Sequence, residues 1–180
     1  GAAIGSNAIV PAQNLKLPFK FDDLTFIVRT QFNPTMLAVR SDSPFKTLND
    51  LLAYIRQNPK KLKFSTAGVQ TIHNLATMVL MKSAKIPIDY VNAVHYDSGA
   101  EATFSLLRGD VDFVYNNTPT LIPQVKAGKL RGLLVPAKLK ELPDIPTSEQ
   151  LGHPEVDIVG WRGLCGPPAL PDSVVNLWAE

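Results

Sequence analysis

The stretch Leu62-Lys63-Phe64-Ser65-Thr66-Ala67-Gly68-Val69-Gln70-Thr71-Ile72-His73-Asn74-Leu75-Ala76 decides the fold. A short run at 62–66 reads as a strand, Ala67 and Gly68 make a small-residue turn, and Thr71 stands where a helix over 72–84 needs its N-cap. The same order then recurs. A strand at 88–94 leads through His95-Tyr96-Asp97-Ser98-Gly99 into a helix expected to bury Ala100, Phe104 and Leu107. A strand at 111–115 leads through Asn116-Asn117-Thr118-Pro119 into a short helix with Leu121, Ile122 and Val125, and Gly128 sits at the C′ position. A strand at 130–135 ends the series. Repeated strand–loop–helix–strand units predict a mostly parallel sheet with helices on its faces, whose ligands bind at the edge where the strands end.

Upstream, two strands are expected at 25–29 and 36–40, with Asn33-Pro34 as a turn between them. Thr47 and Asp50 form a capping pair ahead of Leu48, Leu51, Leu52 and Ile55, which predicts a helix stopping at Asn58-Pro59. Downstream, Thr147 is placed to cap a short helix at 148–151. A strand at 156–164 follows, and Pro171-Asp172 opens a last helix expected to bury Val174, Val175, Leu177 and Trp178. A chain that enters on strands outside the repeat and returns to them is expected to form two lobes. Residues 1–34 and 156–180 would be parts of a discontinuous first lobe, and 35–155 the second α/β lobe.

Composition narrows the function. The 18 basic and 16 acidic residues leave a net charge of +2, and the Lys60, Lys61 and Lys63 cluster has no interleaved aromatics, so no nucleic-acid partner is expected. The single cysteine, Cys165, excludes an internal disulfide and a cysteine metal framework, and it reads as a small buried hydrophobe. His73, His95 and His153 have no metal-ligand spacing, so no metal is expected. His73 falls inside a helix, where a histidine is ordinarily packed or exposed. No G-x-S-x-G elbow is present, and Glu101, Asp110 and Asp112 read as capping or solvated carboxylates. No catalytic residue and no cofactor are therefore expected. The 66–71 loop is neither a dinucleotide nor a phosphate loop. It sets small residues and hydroxyls at a helix start, where an anion is favoured without a basic side chain.

These pieces together resemble the periplasmic solute-binding receptors of tripartite tricarboxylate transporters, the Bug or TctC-like proteins. Lys46-Thr47-Leu48-Asn49-Asp50-Leu51 is similar to the family's K-T-L-x-D/E-L helix start, and Phe64-Ser65-Thr66-Ala67-Gly68 to its F-G-S-A-G ligand loop. Leu106-Leu107-Arg108-Gly109-Asp110-Val111-Asp112, Asn117-Thr118-Pro119 and Ala127-Gly128-Lys129-Leu130-Arg131 resemble L-L-x-G-x-V-D, N-x-P and A-G-K-L-R. Leu142-Pro143-Asp144-Ile145-Pro146-Thr147 resembles L-P-D-V-P-T, Trp161-Arg162-Gly163-Leu164 a W-x-G-L strand, and Gly5-Ser6-Asn7 an Asn-Ser loop.

The resemblance implies a two-lobed α/β periplasmic-binding-protein architecture of type II-like form, here with an incomplete first lobe. It implies a cleft that binds a small organic acid without catalysis, delivery to membrane permease subunits, and a periplasmic location. Carried across, the ligand-binding residues are Ser6 and Asn7 from the first lobe. Thr66, Ala67, Gly68, Thr71, Ser98 and Asn117 come from the second. Three departures stand out. Val69-Gln70 makes the loop bulkier, His73 comes one position before the family's histidine, and Asp97 replaces a frequent lysine. A monocarboxylate or weakly charged acid fits that field better than citrate.

Both ends read as cuts, so the stretch is expected to be a fragment. Taken alone it would bind weakly, or satisfy an open strand edge in a strand-exchanged dimer. Two alternatives of other classes remain at this point. One is the effector-binding domain of a transcription regulator with the same bilobal fold, and the other is an enzyme of that fold.

Overall fold

The computed structural model describes residues 2–3 and 23–179. The described elements are β1 (Ala2–Ala3), β2 (Thr25–Arg40), α1 (Leu48–Gln57), β3 (Lys63–Thr66), α2 (Ile72–Ser83), β4 (Asn92–His95), α3 (Gly99–Arg108), β5 (Phe113–Asn117), α4 (Thr118–Lys126), β6 (Leu130–Leu134), β7 (Val159–Gly166) and α5 (Asp172–Ala179). The chain divides into two compact units, residues 1–33 with 160–180, and residues 34–159.

In the larger unit the strand order is β6-β2-β5-β3-β4. Strands β3, β4 and β5 are parallel, with Ser65 opposite Val94 on one side and Val114 on the other. β2 runs antiparallel to both β5 and β6, so the sheet is mixed. The expected parallel series therefore ends at β5, because β6 returns beside β2 rather than extending the parallel set.

Successive residues of a strand face opposite sides, and here they feed two separate cores. Leu37, Val39, Phe64, Phe113 and Tyr115 pack with Leu48, Leu51, Leu52 and Ile55 of α1 and Ala76, Leu80 and Met81 of α2. Met36, Ala38 and Val114 pack with Ala102 and Leu106 of α3 and Leu121 of α4. The unit is thus a sheet between two helical layers. Helix α1 forms as its sequence dictates, with the Thr47 hydroxyl accepting from the Asp50 N–H and the Asp50 carboxylate accepting from the Thr47 N–H. Those bonds hold the Asp50 carboxyl below its usual range.

Several expectations are corrected. The strands at 25–29 and 36–40 are one continuous strand, with no turn at Asn33-Pro34. Pairing with β5 begins at Thr35, so the N–H that Pro34 lacks is not required by that ladder. The segment Ile88–Tyr90 is a 3₁₀ turn, and the strand occupies Asn92–His95. Residues 148–151 form a turn rather than a helix, although the Thr147 hydroxyl still accepts from the Gln150 N–H.

Helix α3 buries Ala102, Thr103, Ser105 and Leu106, and leaves Phe104 54% exposed. Its buried hydroxyls donate to carbonyls of their own helix, Thr103 to Gly99 and Ser105 to Ala102, which lets polar residues take the inner face.

In the smaller unit, β1 pairs antiparallel with β7, placing Ala2 opposite Gly163, and β7 neighbours β2. Phe26 and Trp161 meet edge-on at 6.0 Å. Helix α5 does not bury the face its pattern suggested, since Leu177 and Trp178 are 71% and 59% exposed. Cys165 is half-buried rather than buried. Among the described residues, no helix is long and apolar enough to cross a membrane.

Candidate functional site

The parallel strands β3 and β5 are neighbours, yet the chain leaves them in opposite directions. From β3 it crosses through α2 to β4, and from β5 it passes through α4 to β6 on the far side of β2. A crevice opens at the strand ends where outgoing connections diverge in this way, and it is the usual ligand position of open α/β sheets. The N-termini of α2, α3 and α4 all follow strands that end on this edge. Their first-turn N–H groups have no partner within the helix and carry the positive end of its dipole. Helices α2 and α4 have no acidic residue in the first turn, whereas α3 has Glu101, whose carboxylate accepts from the Asp97 N–H. The field most favourable to an anion therefore lies at the starts of α2 and α4.

Each expected site residue has a definite place. Ser6 and Asn7 lie outside the described residues. Thr66 is the last residue of β3, and its side chain is tied to the Gly68 carbonyl at 3.1 Å and to His95 Nδ1 at 2.8 Å. The hydroxyl has one proton, so when it donates to Gly68 it accepts from the imidazole N–H. Thr71 donates to the same carbonyl at 2.8 Å and accepts from the Asn74 N–H. The two threonines thus clamp the loop, and Asn74 adds a bond from Nδ2 to the Val69 carbonyl. Gly68 has φ of +117°, which a side chain would strain, and Ala67 stands beside it in the same loop. Ser98 caps α3 by accepting from the Glu101 N–H.

Asn117 ends β5 and is the N-cap of α4, so the expected loop at 116–119 is instead a direct strand-to-helix junction. The structure brings Thr66, Gly68 and Thr71 together by hydrogen bonds and places Asn117 at the neighbouring strand end, while Ser98 joins neither group through a described bond.

The two faces of this edge differ in how their polar groups are paired. On the α3 side, Ser65 donates to the Ala102 carbonyl, and Asn116 donates to the Gly99 carbonyl and the Thr103 hydroxyl. Asn116 Oδ1 accepts from the Asn117 N–H. On the α2 side, both ring nitrogens of His73, the Tyr115 hydroxyl and Asn117 Oδ1 are buried without a protein hydrogen bond. A buried polar group left in that state costs about 1–3 kcal/mol. Burial holds the His73 imidazole below the usual histidine range, with the nearby Asn117 carboxamide opposing that shift without reaching hydrogen-bond geometry. Burial also pushes the Tyr115 hydroxyl well above its ordinary value, and the Thr35 hydroxyl beside it works against this. That hydroxyl itself donates to the Ile158 carbonyl at 2.6 Å.

His73 and Tyr115 are the residues sequence reasoning passed over. The available signal was spacing: His73 lies on the stripe of Ile72, Ala76, Leu80 and Met81 that faces the sheet. The other histidines are paired, His95 with Thr66 and His153 with Ser83 at 2.7 Å. The carboxylates considered for chemistry are structural. Asp112 accepts from the Lys63 N–H, and Asp110 pairs with Arg108.

A separate cavity of about 580 Å³ is lined by residues including Lys46, Arg131 and Leu142, and shares none with this edge. Its cations are engaged with backbone, Arg131 with the Ser41 and Phe45 carbonyls and Lys46 with the Ser43 carbonyl.

Comparison with known proteins places this edge in context. The sequence profile described as "Tripartite tricarboxylate transporter family receptor" matches residues 2–179. The chain belongs to this family. A UPF0065 protein of Bordetella pertussis is 28% identical over 178 residues, covering 96% of this chain and 54% of the relative. MatC of Rhodopseudomonas palustris, solved with bound malate, superposes with a TM-score of 0.83 at 22% identity, over 97% of this chain and 59% of MatC. Rpa4515 of R. palustris, solved with adipate, gives 0.81 at 24% identity, over 98% of this chain and 59% of that protein. These structures share the periplasmic-binding-protein fold expected for the receptor family, and the chain spans about half the length of the curated relatives it matches.

Proposed function

We propose that this receptor-family chain binds a small carboxylate-bearing solute at the strand-end edge of its larger unit and releases it unchanged. The observation that carries this is the pair of helix starts free of acidic residues, those of α2 and α4, which follow neighbouring strand ends on one edge, beside buried polar atoms that the protein leaves unpaired. A carboxylate there gains the helix-terminal N–H groups without a buried cation opposite it. Thr66 and Thr71 hold the loop in shape, Ala67 and Gly68 keep it narrow, and Ser98 and Asn117 present the starts of α3 and α4. The malate and adipate bound by two fold relatives agree in chemical class. Family membership supports delivery to the membrane permease subunits of a tripartite transporter, from the periplasm.

A thermal-shift screen of the protein against mono-, di- and tricarboxylates tests the proposal. At least one organic acid is expected to raise the melting temperature and to be recovered chemically intact. Stabilisation by sugars or amino acids alone would refute the solute class, and conversion of the acid would refute the receptor role.

A further inference from the structure

The unpaired atoms on the α2 side specify more than an anion. A neutral imidazole offers one N–H and one lone pair, and a carboxamide oxygen only accepts. His73 is 6% exposed, and neither of its nitrogens has a protein partner. Asn117 Oδ1 is buried and equally unpartnered, and the two side chains approach each other from the starts of α2 and α4. In the amide orientation of this structure, the buried unpartnered atoms are therefore two acceptors and one donor, the Asn117 amide nitrogen not being among them. Should the imidazole N–H turn to the Asn117 oxygen, the second ring nitrogen still asks for a donor. An ionised carboxylate has no proton to give, so it satisfies the helix starts but not this pair.

We propose that His73 and Asn117 form a hydroxyl-recognising subsite, so that the preferred solute is a carboxylic acid carrying a hydroxyl group. This rests on the carboxylate-receptor role proposed above and names the second functional group such a solute carries. A hydroxyl donates to one acceptor of the pair and accepts from the imidazole N–H, which an unsubstituted acid cannot do. A site built to bond a hydroxyl rejects the analogue lacking it, because its own buried groups are then left without partners. Among the described residues no counterpart stands on the α3 side, where Asn116 donates to the Thr103 hydroxyl.

The test is calorimetric titration of the full protein with acids differing by one hydroxyl: succinate and malate, glutarate and 2-hydroxyglutarate, propionate and lactate, butyrate and 3-hydroxybutyrate. The hydroxylated member of at least one pair is expected to bind about tenfold tighter or better, the scale of one well-formed buried hydrogen bond. His73→Phe is expected to bring that ratio towards one. Asn117→Ala does the same by a second route, should the first variant fold poorly. Acids that bind without regard to the hydroxyl would overturn the subsite and leave the receptor role standing, with buried water as the partner of the pair. A preference that survives in both variants would also overturn it. If no acid of either series binds, the receptor role fails and the subsite fails with it.

Discussion

The two faces of one sheet edge have been solved differently by the same strands. On the α3 side, Asn116 closes a polar network in which the Gly99 carbonyl, the Thr103 hydroxyl and the Asn117 N–H all find partners. One residue further along β5 the α2 side begins, where Asn117 and Tyr115 of the strand and His73 of the helix have buried atoms left unpaired. The first arrangement stabilises the fold and leaves nothing for a ligand. The second keeps bonding capacity for a molecule that the fold does not itself supply. Burial alone does not separate the two, since Asn116 and His73 are both almost wholly enclosed. The hydrogen-bond census does.

The difference predicts opposite responses to like substitutions. The largest effect is expected for Asn116→Ala, which removes three hydrogen bonds, leaves the Asn117 N–H without its acceptor and opens a cavity in the core, and should destabilise the protein by about 3 kcal/mol in urea titration. Gly99→Ala comes next. A Cβ there would stand 2.8 Å from Asn116 Oδ1, forcing the network apart at a cost of about 1–3 kcal/mol, and a melting curve will show it.

On the other face, His73→Phe is expected to change stability by less than about 1 kcal/mol, and in the stabilising direction, because it removes groups that are already unsatisfied. A destabilisation matching that of Asn116→Ala would erase the contrast. The smallest effect concerns pH. His73 is held below its ordinary value of 6.5 in the folded protein, so the unfolded chain binds more protons once pH falls below that value. Stability present above about pH 6.5 is then lost as pH falls towards the folded value. His73→Phe should flatten that part of the stability–pH curve, and an unchanged slope would show that the ring is protonated as readily in the folded chain.

Much of this was legible in sequence, for local reasons. Thr47 and Asp50 announced α1 because a capping box needs only three residues of spacing, and Thr71 announced α2 as a single N-cap. The family's pieces were also recognisable in order along the chain. What escaped depended on partners distant in sequence. Pro34 reads as a break, yet β2 runs through it because its ladder with β5 starts one residue later. Phe104 looked like a core residue of α3, but the buried positions went to Thr103 and Ser105, whose hydroxyls close on their own helix. The unpaired state of His73 has no local signature, since it depends on what β5 does and does not offer across the sheet edge. The motif singled out Asn117, while only the fold sets His73 near it.

The most direct test of the central claim is amide chemical-shift mapping while malate and then adipate are titrated into the labelled protein. The account predicts shifts concentrated in the starts of α2 and α4 and the loop before α2, at residues 67–74 and 116–120. Shifts confined to the cavity around Lys46 and Arg131 would contradict it.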